Sequence, residues 1–396
     1  MSLVATALTP CRDAMVERLP AHVVLLTNFI PPYRLPVYCQ LARRVEKLTI
    51  LLSTPMEPNR NWPAHWGALD VRLQRTLSFR RDARHAAGFS DRLHVHMPID
   101  TLAQLRTLQP DIILSAEMGI RSLGSAVYAR YFKHTPFVLW LTISERTEEG
   151  RGRLRRALRR WLLARADAVV VNGESGARYV ERFGFDRRRT FKAPYTALAG
   201  LFDHLPLSRP AAPVHRLLYV GQLIERKGLA PFIESLAVWC ARNPHRRIEF
   251  DVVGSGPLRA QLESLPTPPN LLVHFLGERD YSELPEIYAV ADLFAFPTLA
   301  DEWGLVANEA MAAGLPVLGS VYSQAVEELC REGVNGWLFR PDSPADTLDA
   351  IHRALSATAD QLASMRAAAR ASVDHLTPEY AVDRVLEALS SIYHHG

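Results

Sequence analysis

Cysteine is scarce in this chain of 396 residues, and the four present, Cys11, Cys39, Cys240 and Cys330, lie far apart with no C-x-x-C among them. That spacing excludes a disulfide framework or a thiolate zinc site as the basis of the fold, and a reducing cytoplasm is the expected location. The opening MSLVATALTPCRDAMVERLP has no basic segment ahead of its short apolar run, so residues 1–20 read as a loose leader and not as a signal peptide or a spanning helix. Basic residues interleaved with stacking aromatics are also missing, so nucleic acid is not an expected partner. The net charge is only +4, although the stretch from Arg146 to Arg165 is rich in arginine. With 48% hydrophobic and 22% charged residues, the composition is that of a globular protein, and its length exceeds one ordinary core and fits two.

Short apolar runs alternate with amphipathic stretches from His22 onward. HVVLLTN (22–28), LTILLS (48–53), DIILSAE (111–117), FVLWLT (137–142) and AVVVN (168–172) have the near-continuous apolar character of strands buried on both faces of a parallel sheet. A second series runs through RLLYVG (216–221), IEFDVVG (248–254), LLVHFLG (271–277), DLFAFP (292–297) and PVLGS (316–320). Between them FDHLPLSRPAAPVH (202–215) is rich in Pro and lacks apolar periodicity. The fold class expected is therefore α/β, two tandem Rossmann-like doubly wound domains facing a cleft. Their boundaries are 21–204 and 216–376, with a linker at 205–215 and a helical 377–396 crossing back onto the first domain.

Three loops at strand ends carry candidate chemistry. GQLIERKGL (221–229) offers Gly221 for a tight turn and Lys227 as a point charge for a diphosphate, or else is a solvated charged loop. VGSGPL (253–258) lacks the full G-x-G-x-x-G and reads equally as a Gly-rich turn with Pro257 opening a helix. DEWGLVANEAMAAG (301–314) follows a strand and enters a small-residue helix near Leu305. There Gly304 and the amides of Leu305 and Val306 form an anion site, Glu309 one turn later can accept from both hydroxyls of a ribose, and Asp301 points at whatever hangs from the phosphates. The alternative is that Asp301 or Glu302 complements the helix dipole and Glu309 is solvated.

These segments, in this order and spacing, resemble the retaining nucleotide-sugar glycosyltransferases of family 4, which have the GT-B fold. NFIPPYRLPVY (28–38) and RADAVVVNGESGARYVERFG (165–184) extend the resemblance over most of the chain. The resemblance implies a hexosyltransferase that needs no metal or other cofactor. Its nucleotide-sugar donor would be bound by Gly221, Gln222, Arg226, Lys227, Gly254, Gly304, Leu305, Val306 and Glu309. It implies Glu309 on the ribose, Lys227 on the diphosphate and Asp301 at the sugar hydroxyls, with Asp301 and Lys227 the catalytic pair. The acceptor would be a glycan, a lipid-linked sugar or a small molecule.

This chain departs from the family at three places. Asp301 stands where Glu is usual, Gln222 replaces a phosphate-binding Arg and leaves more of the load to Lys227 and Arg226, and the strand FVLWLT is followed by Thr142, Ser144 and Glu145 where a His is common. Tyr33, Arg34, Glu117 and Glu145 are the acceptor or sugar candidates. His94 and His96 alternate along an extended run and read as a solvated edge. A catalytically weak nucleotide-sugar-binding subunit and a sugar epimerase of the same architecture are the competing readings. Finally, RGRLRRALRRWLLARAD (151–167) places Leu154, Leu158, Trp161, Leu162 and Arg165 at helical spacing with arginines around them. Such a helix suits an anionic membrane surface at the inner face, or else simply covers a sheet.

Overall fold

A computed structural model of the protein describes residues 18–57, 62, 64–197, 200–208 and 213–393. The expected leader lies outside the described residues up to position 17, and Leu19 is already in the first strand. Within the described residues the chain forms two compact units. One takes residues from Met1–Arg84, Asp91–Tyr195 and Pro378–Gly396, and the other takes His85–Ser90 and Thr196–Thr377.

In the first unit, β1 (Leu19–Thr27), β2 (Val45–Leu52), β3 (Asp70–Leu73), β6 (Ile112–Ala116), β7 (Phe137–Leu141), β8 (Ala168–Val171) and β9 (Thr190–Lys192) make one sheet in the order β3-β2-β1-β6-β7-β8-β9, with every pairing parallel. Alternate residues of the same strands feed two cores. Val23 and Leu25 join one with α1 (Leu35–Arg44). Val24 and Leu26 join another with α2 (Thr101–Leu108), α3 (Ile120–Tyr128), α4 (Arg153–Leu163) and α5 (Glu174–Glu181). That division is why these strands are apolar on both faces. A two-stranded sheet, β4 (Thr76–Arg84) with β5 (Ser90–Pro98), stands apart from it.

The second unit repeats the plan with β10 (Arg216–Val220), β11 (Ile248–Val253), β12 (Leu271–Gly277), β13 (Leu293–Phe296), β14 (Val317–Ser320) and β15 (Gly336–Phe339), ordered β12-β11-β10-β13-β14-β15 and again all parallel. Its helices are α6 (Leu229–Arg242), α7 (Arg259–Glu263), α8 (Leu284–Val290), α9 (Leu305–Ala312), α10 (Gln324–Leu329), α11 (Pro344–Leu355) and α12 (Ala359–Ala371). Pro257 does not open α7, because the cap residue is Leu258 and the proline sits in the turn ahead of it.

The chain passes to the second unit at Tyr195, ahead of the Pro-rich 205–215 stretch, of which 209–212 lie outside the described residues. The cause is Phe202, which is fully buried against the rings of Tyr281 and Tyr288 at 5.8 and 5.1 Å. After Thr377 the chain returns as α13 (Pro378–Tyr393). Ala381, Val382, Val385, Ala388 and Leu389 form one stripe on this helix and enter the core shared with α1. Arg44 pairs with Asp383 at 3.0 Å, and the Tyr393 hydroxyl donates to the Pro20 carbonyl at 2.6 Å.

Truncating Leu389 to Ala is expected to cost about 2–4 kcal/mol, since a fully buried Leu leaves a cavity when shortened. Urea unfolding should show that loss in the transition of the first unit, and a change under about 0.5 kcal/mol, the scale of a surface substitution, would remove α13 from this core.

Candidate functional site

Where neighbouring parallel strands send their connections to opposite faces of a sheet, the loops at their carboxyl ends part and leave a crevice. In the second unit this happens between β10 and β13, which pair directly. The loops that meet there are 221–228, after β10, and 297–304, after β13. Close backbone approach holds the first of them. Gly221 N–H donates to Val253 at 3.0 Å, and a Cβ on Gly254, whose φ is 128°, would lie 2.0 Å from the Gly221 carbonyl oxygen. The other end of the loop locks to the second one, with Leu299 N–H donating to the Arg226 carbonyl at 2.8 Å.

This crossing brings Lys227 and Asp301 into direct contact. Lys227 Nζ donates to Asp301 Oδ2, and Arg226 Nη1 lies 3.8 Å from the same oxygen and 3.5 Å from Glu302 Oε2. The sequence assigns Lys227 to the diphosphate and Asp301 to the sugar hydroxyls of a donor, and here their charged atoms form one ion pair. Burial works to raise the Asp301 pKa, but Lys227 and Arg226 hold it below the ordinary carboxylate value. Burial pushes Glu302 the other way. Gln222 contributes its carbonyl, which accepts from the Tyr219 hydroxyl at 2.9 Å.

Gly304, at φ 102°, turns the chain into α9, and Leu305 and Val306 head that helix half-buried. Glu309 is 3% exposed, which rules out the solvated reading. Its Oε1 accepts from the Tyr281 hydroxyl at 2.7 Å and its Oε2 from the Tyr288 hydroxyl at 3.3 Å. Burial raises its pKa to about 7, against the lowering effect of those two hydrogen bonds. The small residues of α9 make this possible, because Ala307, Ala310 and Met311 are fully buried and seat the helix tightly.

The corresponding crevice of the first unit lies between β1 and β6 and holds a cavity of about 140 Å³. Tyr33, Arg34, Glu117 and Thr142 line it, joined by Trp140 and Tyr195. Glu117 has φ 65°, a left-handed conformation that costs a non-glycine residue about 1 kcal/mol or more and that clusters at functional sites. Behind it the buried Arg121 donates to Asn28 Oδ1 at 2.6 Å, Ser53 Oγ at 2.8 Å and the Ala116 carbonyl at 3.2 Å.

The other candidates fall elsewhere. Glu145 is not among the residues lining this cavity; it pairs with Arg178 at 2.7 Å and with Arg182, because the last turn of α5 and its carboxyl cap present these arginines to it. Ser144 is buried in a turn with Thr147. His96 is no solvated edge, since its side chain is 3% exposed, its Nδ1 is 2.8 Å from Ser78 Oγ and its Nε2 is 3.5 Å from Glu57; His94 is half-exposed. In α4, Leu154 is 86% exposed whereas Leu162 and Leu163 are buried, so Leu154 does not share their face. Arg159 is also buried, ion-paired with Glu148.

Residues 214–357 match the family "Glycosyl transferases group 1". Solved structures agree over nearly the whole chain: the Anabaena HepE structure in complex with UDP superposes with a TM-score of 0.67 at 17% identity, covering 93% of this chain and 99% of that one. The lipopolysaccharide outer core galactosyltransferase WaaB superposes with a TM-score of 0.69 at 12% identity over the same shares. The fold is GT-B. Among curated relatives, the D-inositol 3-phosphate glycosyltransferase of Nocardia farcinica is 30% identical over 251 residues, 58% of this chain and 54% of that protein. The amylovoran biosynthesis glycosyltransferase AmsK of Erwinia amylovora is 33% identical over 167 residues, 40% of each chain. The GT-B chain thus spans about half the length of the curated relatives it matches.

Two groups of residues in this GT-B protein escape sequence reasoning. Tyr281 and Tyr288 flank and enter α8 and carry no local sign of a shared carboxylate. Trp140 and Tyr195 reach one cavity only because β7 and β9 end on the same side of the sheet.

The Glu309 pKa predicts a pH signature. Between its ordinary 4.5 and about 7 the folded state keeps a proton that the unfolded chain releases, so this group's contribution to stability falls as pH rises through that window. Above it, the buried charge costs on the order of 3 kcal/mol. Glu309→Gln removes that charge and keeps an oxygen for the tyrosines. Its stability relative to wild type should therefore climb from pH 5 to pH 8 in denaturant titrations, and parallel profiles would contradict this account.

Proposed function

We propose that the protein is a retaining glycosyltransferase that moves a hexose-type sugar from a nucleotide sugar to an acceptor hydroxyl. The observation that carries the reading is the meeting of Lys227 and Arg226 with Asp301, near a buried Glu309, at the strand crossing of a group 1 glycosyl transferase domain. In support, HepE structures are described with UDP and with UDP-glucose.

The donor lies in the second unit. Glu309 accepts from the ribose hydroxyls once ionised, and the head of α9, through Gly304, Leu305 and Val306, receives the diphosphate. Lys227 and Arg226 then turn from the acids to the phosphates and neutralise the charge that grows as the sugar bond breaks, which is the work a metal does in other transferases. Asp301, released from Lys227, accepts from hydroxyls of the sugar. The acceptor lies in the cavity of the first unit, among Tyr33, Arg34 and Glu117.

The helix α4 supports a membrane-surface setting for this reading. Among the described residues no helix is long and apolar enough to cross a membrane. However, Leu154 stands exposed among exposed Arg153, Arg155, Arg156 and Arg160. Basic residues near an anionic leaflet contribute about 1 kcal/mol each, so this face holds the cytoplasmic enzyme at the inner membrane surface beside a lipid-linked glycan acceptor.

Two measurements check these statements. A thermal-shift screen of nucleotide sugars should find one that raises the melting temperature, and Lys227→Ala should lower turnover with that sugar about 100-fold while changing its affinity much less. Equal losses in both would leave Lys227 a ground-state contact only. In cosedimentation with anionic vesicles, Leu154→Ser combined with Arg155, Arg156 and Arg160 to Gln should stay in the supernatant at low salt while wild type pellets. Arg159 is kept because its ion pair with Glu148 is buried. Wild type remaining in the supernatant would remove the membrane from the proposal.

A further inference from the structure

Arg34 is 5% exposed and lines the cavity between β1 and β6. Its guanidinium carbon lies 3.8 Å from the ring centroid of Tyr195 and 4.7 Å from that of Trp140. Aromatic faces attract a cation, but they do not satisfy five planar N–H donors. No carboxylate among the described residues forms an ion pair with it. The groups that act on its charge are the phenols of Tyr195, Tyr38 and Tyr33, uncharged at neutral pH, and Arg34 also hydrogen-bonds to Tyr195.

Glu117, the acid that lines the cavity, is engaged elsewhere, because its field acts on Arg121. Arg121 is itself 5% exposed, and its Nε has no hydrogen-bond partner. The acid of the cavity thus acts on Arg121, and the positive charge of Arg34, on the same cavity wall, has no carboxylate against it among the described residues. A buried charge without a counterion is costly, and a ligand that supplies one gains in affinity. The walls suit a sugar ring: Tyr33 and Tyr195 meet edge to face at 5.5 Å, and Tyr33 meets Trp62 in the same way at 6.2 Å. Aromatic rings offer a flat apolar surface, while the tyrosine hydroxyls and Thr142 supply hydrogen bonds.

We infer that the acceptor sugar of this enzyme carries a negative charge, a carboxylate or a phosphate, and that Arg34 receives it at the aromatic cavity of the first unit. The inference rests on the acceptor role proposed above for that cavity. It narrows the acceptor class to acidic glycans or sugar phosphates and makes Arg34 the residue that discriminates against neutral sugars. Planar guanidinium chemistry suits both sources, since each presents paired oxygens.

The test is a ligand-observed NMR titration of the full chain, at fixed ionic strength, with a methyl glucuronide, a phosphorylated methyl glucoside and the unmodified methyl glucoside. At least one charged glycoside should bind about tenfold or more tightly than the neutral one, the scale of a hydrogen bond to a charged group. The tighter of the two identifies carboxylate or phosphate. Arg34→Gln should abolish the preference and Arg34→Lys should keep part of it. Because Arg34 is buried, folding of each variant is checked by circular dichroism, and the wild-type comparison stands without them. Equal binding of charged and neutral glycosides, no binding of either charged one, or a folded Arg34→Gln that keeps the preference overturns the inference. A nucleotide sugar that raises the melting temperature in the same samples shows that the donor reading survives such a failure; if none does, the transferase reading fails as well.

Discussion

A parallel sheet must return its chain through crossovers, and wherever two neighbouring strands cross over on opposite faces their following loops separate. Both units place their candidate chemistry at that point, β10 beside β13 in one and β1 beside β6 in the other. Residues 74 positions apart, Lys227 and Asp301, meet because their strands are hydrogen-bonded neighbours. The same geometry collects Arg34, Glu117 and Thr142 from the ends of three strands. Tight helices, Gly-rich turns and buried tyrosines serve to hold those loop ends in register.

The charges at the two crossings are arranged in opposite ways. In the second unit each cation is already matched by an acid, so Lys227 and Arg226 are held near one geometry without a free positive charge having to be buried. An anion entering there would exchange one anionic partner for another instead of meeting the full desolvation penalty. In the first unit, among the described residues, Arg34 is matched by rings and phenols and by no carboxylate. Gln222 adds no charge to the first arrangement, and a third cation beside Lys227 and Arg226 would have left that crossing overcharged.

How much of this is legible in the sequence depends on the range of the interaction. Strands such as HVVLLTN and RLLYVG announce themselves because burial on both faces demands an unbroken apolar run. TLSFRRDAR does not, since β4 is exposed along most of its length and its pairing with β5 is set by the partner strand. The strands β3, β9 and β15 are three or four residues long and are stabilised as added strands of existing sheets. Glu309, Asp301 and Lys227 stand out locally, the acids by their spacing around Gly304 and the lysine by its place in a Gly-bounded loop. Tyr281 and Tyr288 do not, and neither does the contact of Lys227 with Asp301, because only the strand order brings them near. Glu145 and Glu117 each follow a strand and are equivalent in the sequence, but Arg178 of α5 and Arg182 at its carboxyl cap engage Glu145.

The return of α13 to the first unit has a consequence for the order in which the chain matures. Thr196–Thr377 is one continuous segment, closed on itself before α13 emerges from the ribosome, whereas the core around Val23, Leu25 and Leu41 lacks Val382, Val385 and Leu389 until then. The unit made first is thus finished last, and its nascent sheet keeps part of one apolar face, beside α1, uncovered throughout synthesis of the other. A nascent-chain chaperone that binds exposed aliphatic surface would find its target on β1, β8 and α1 for that whole interval.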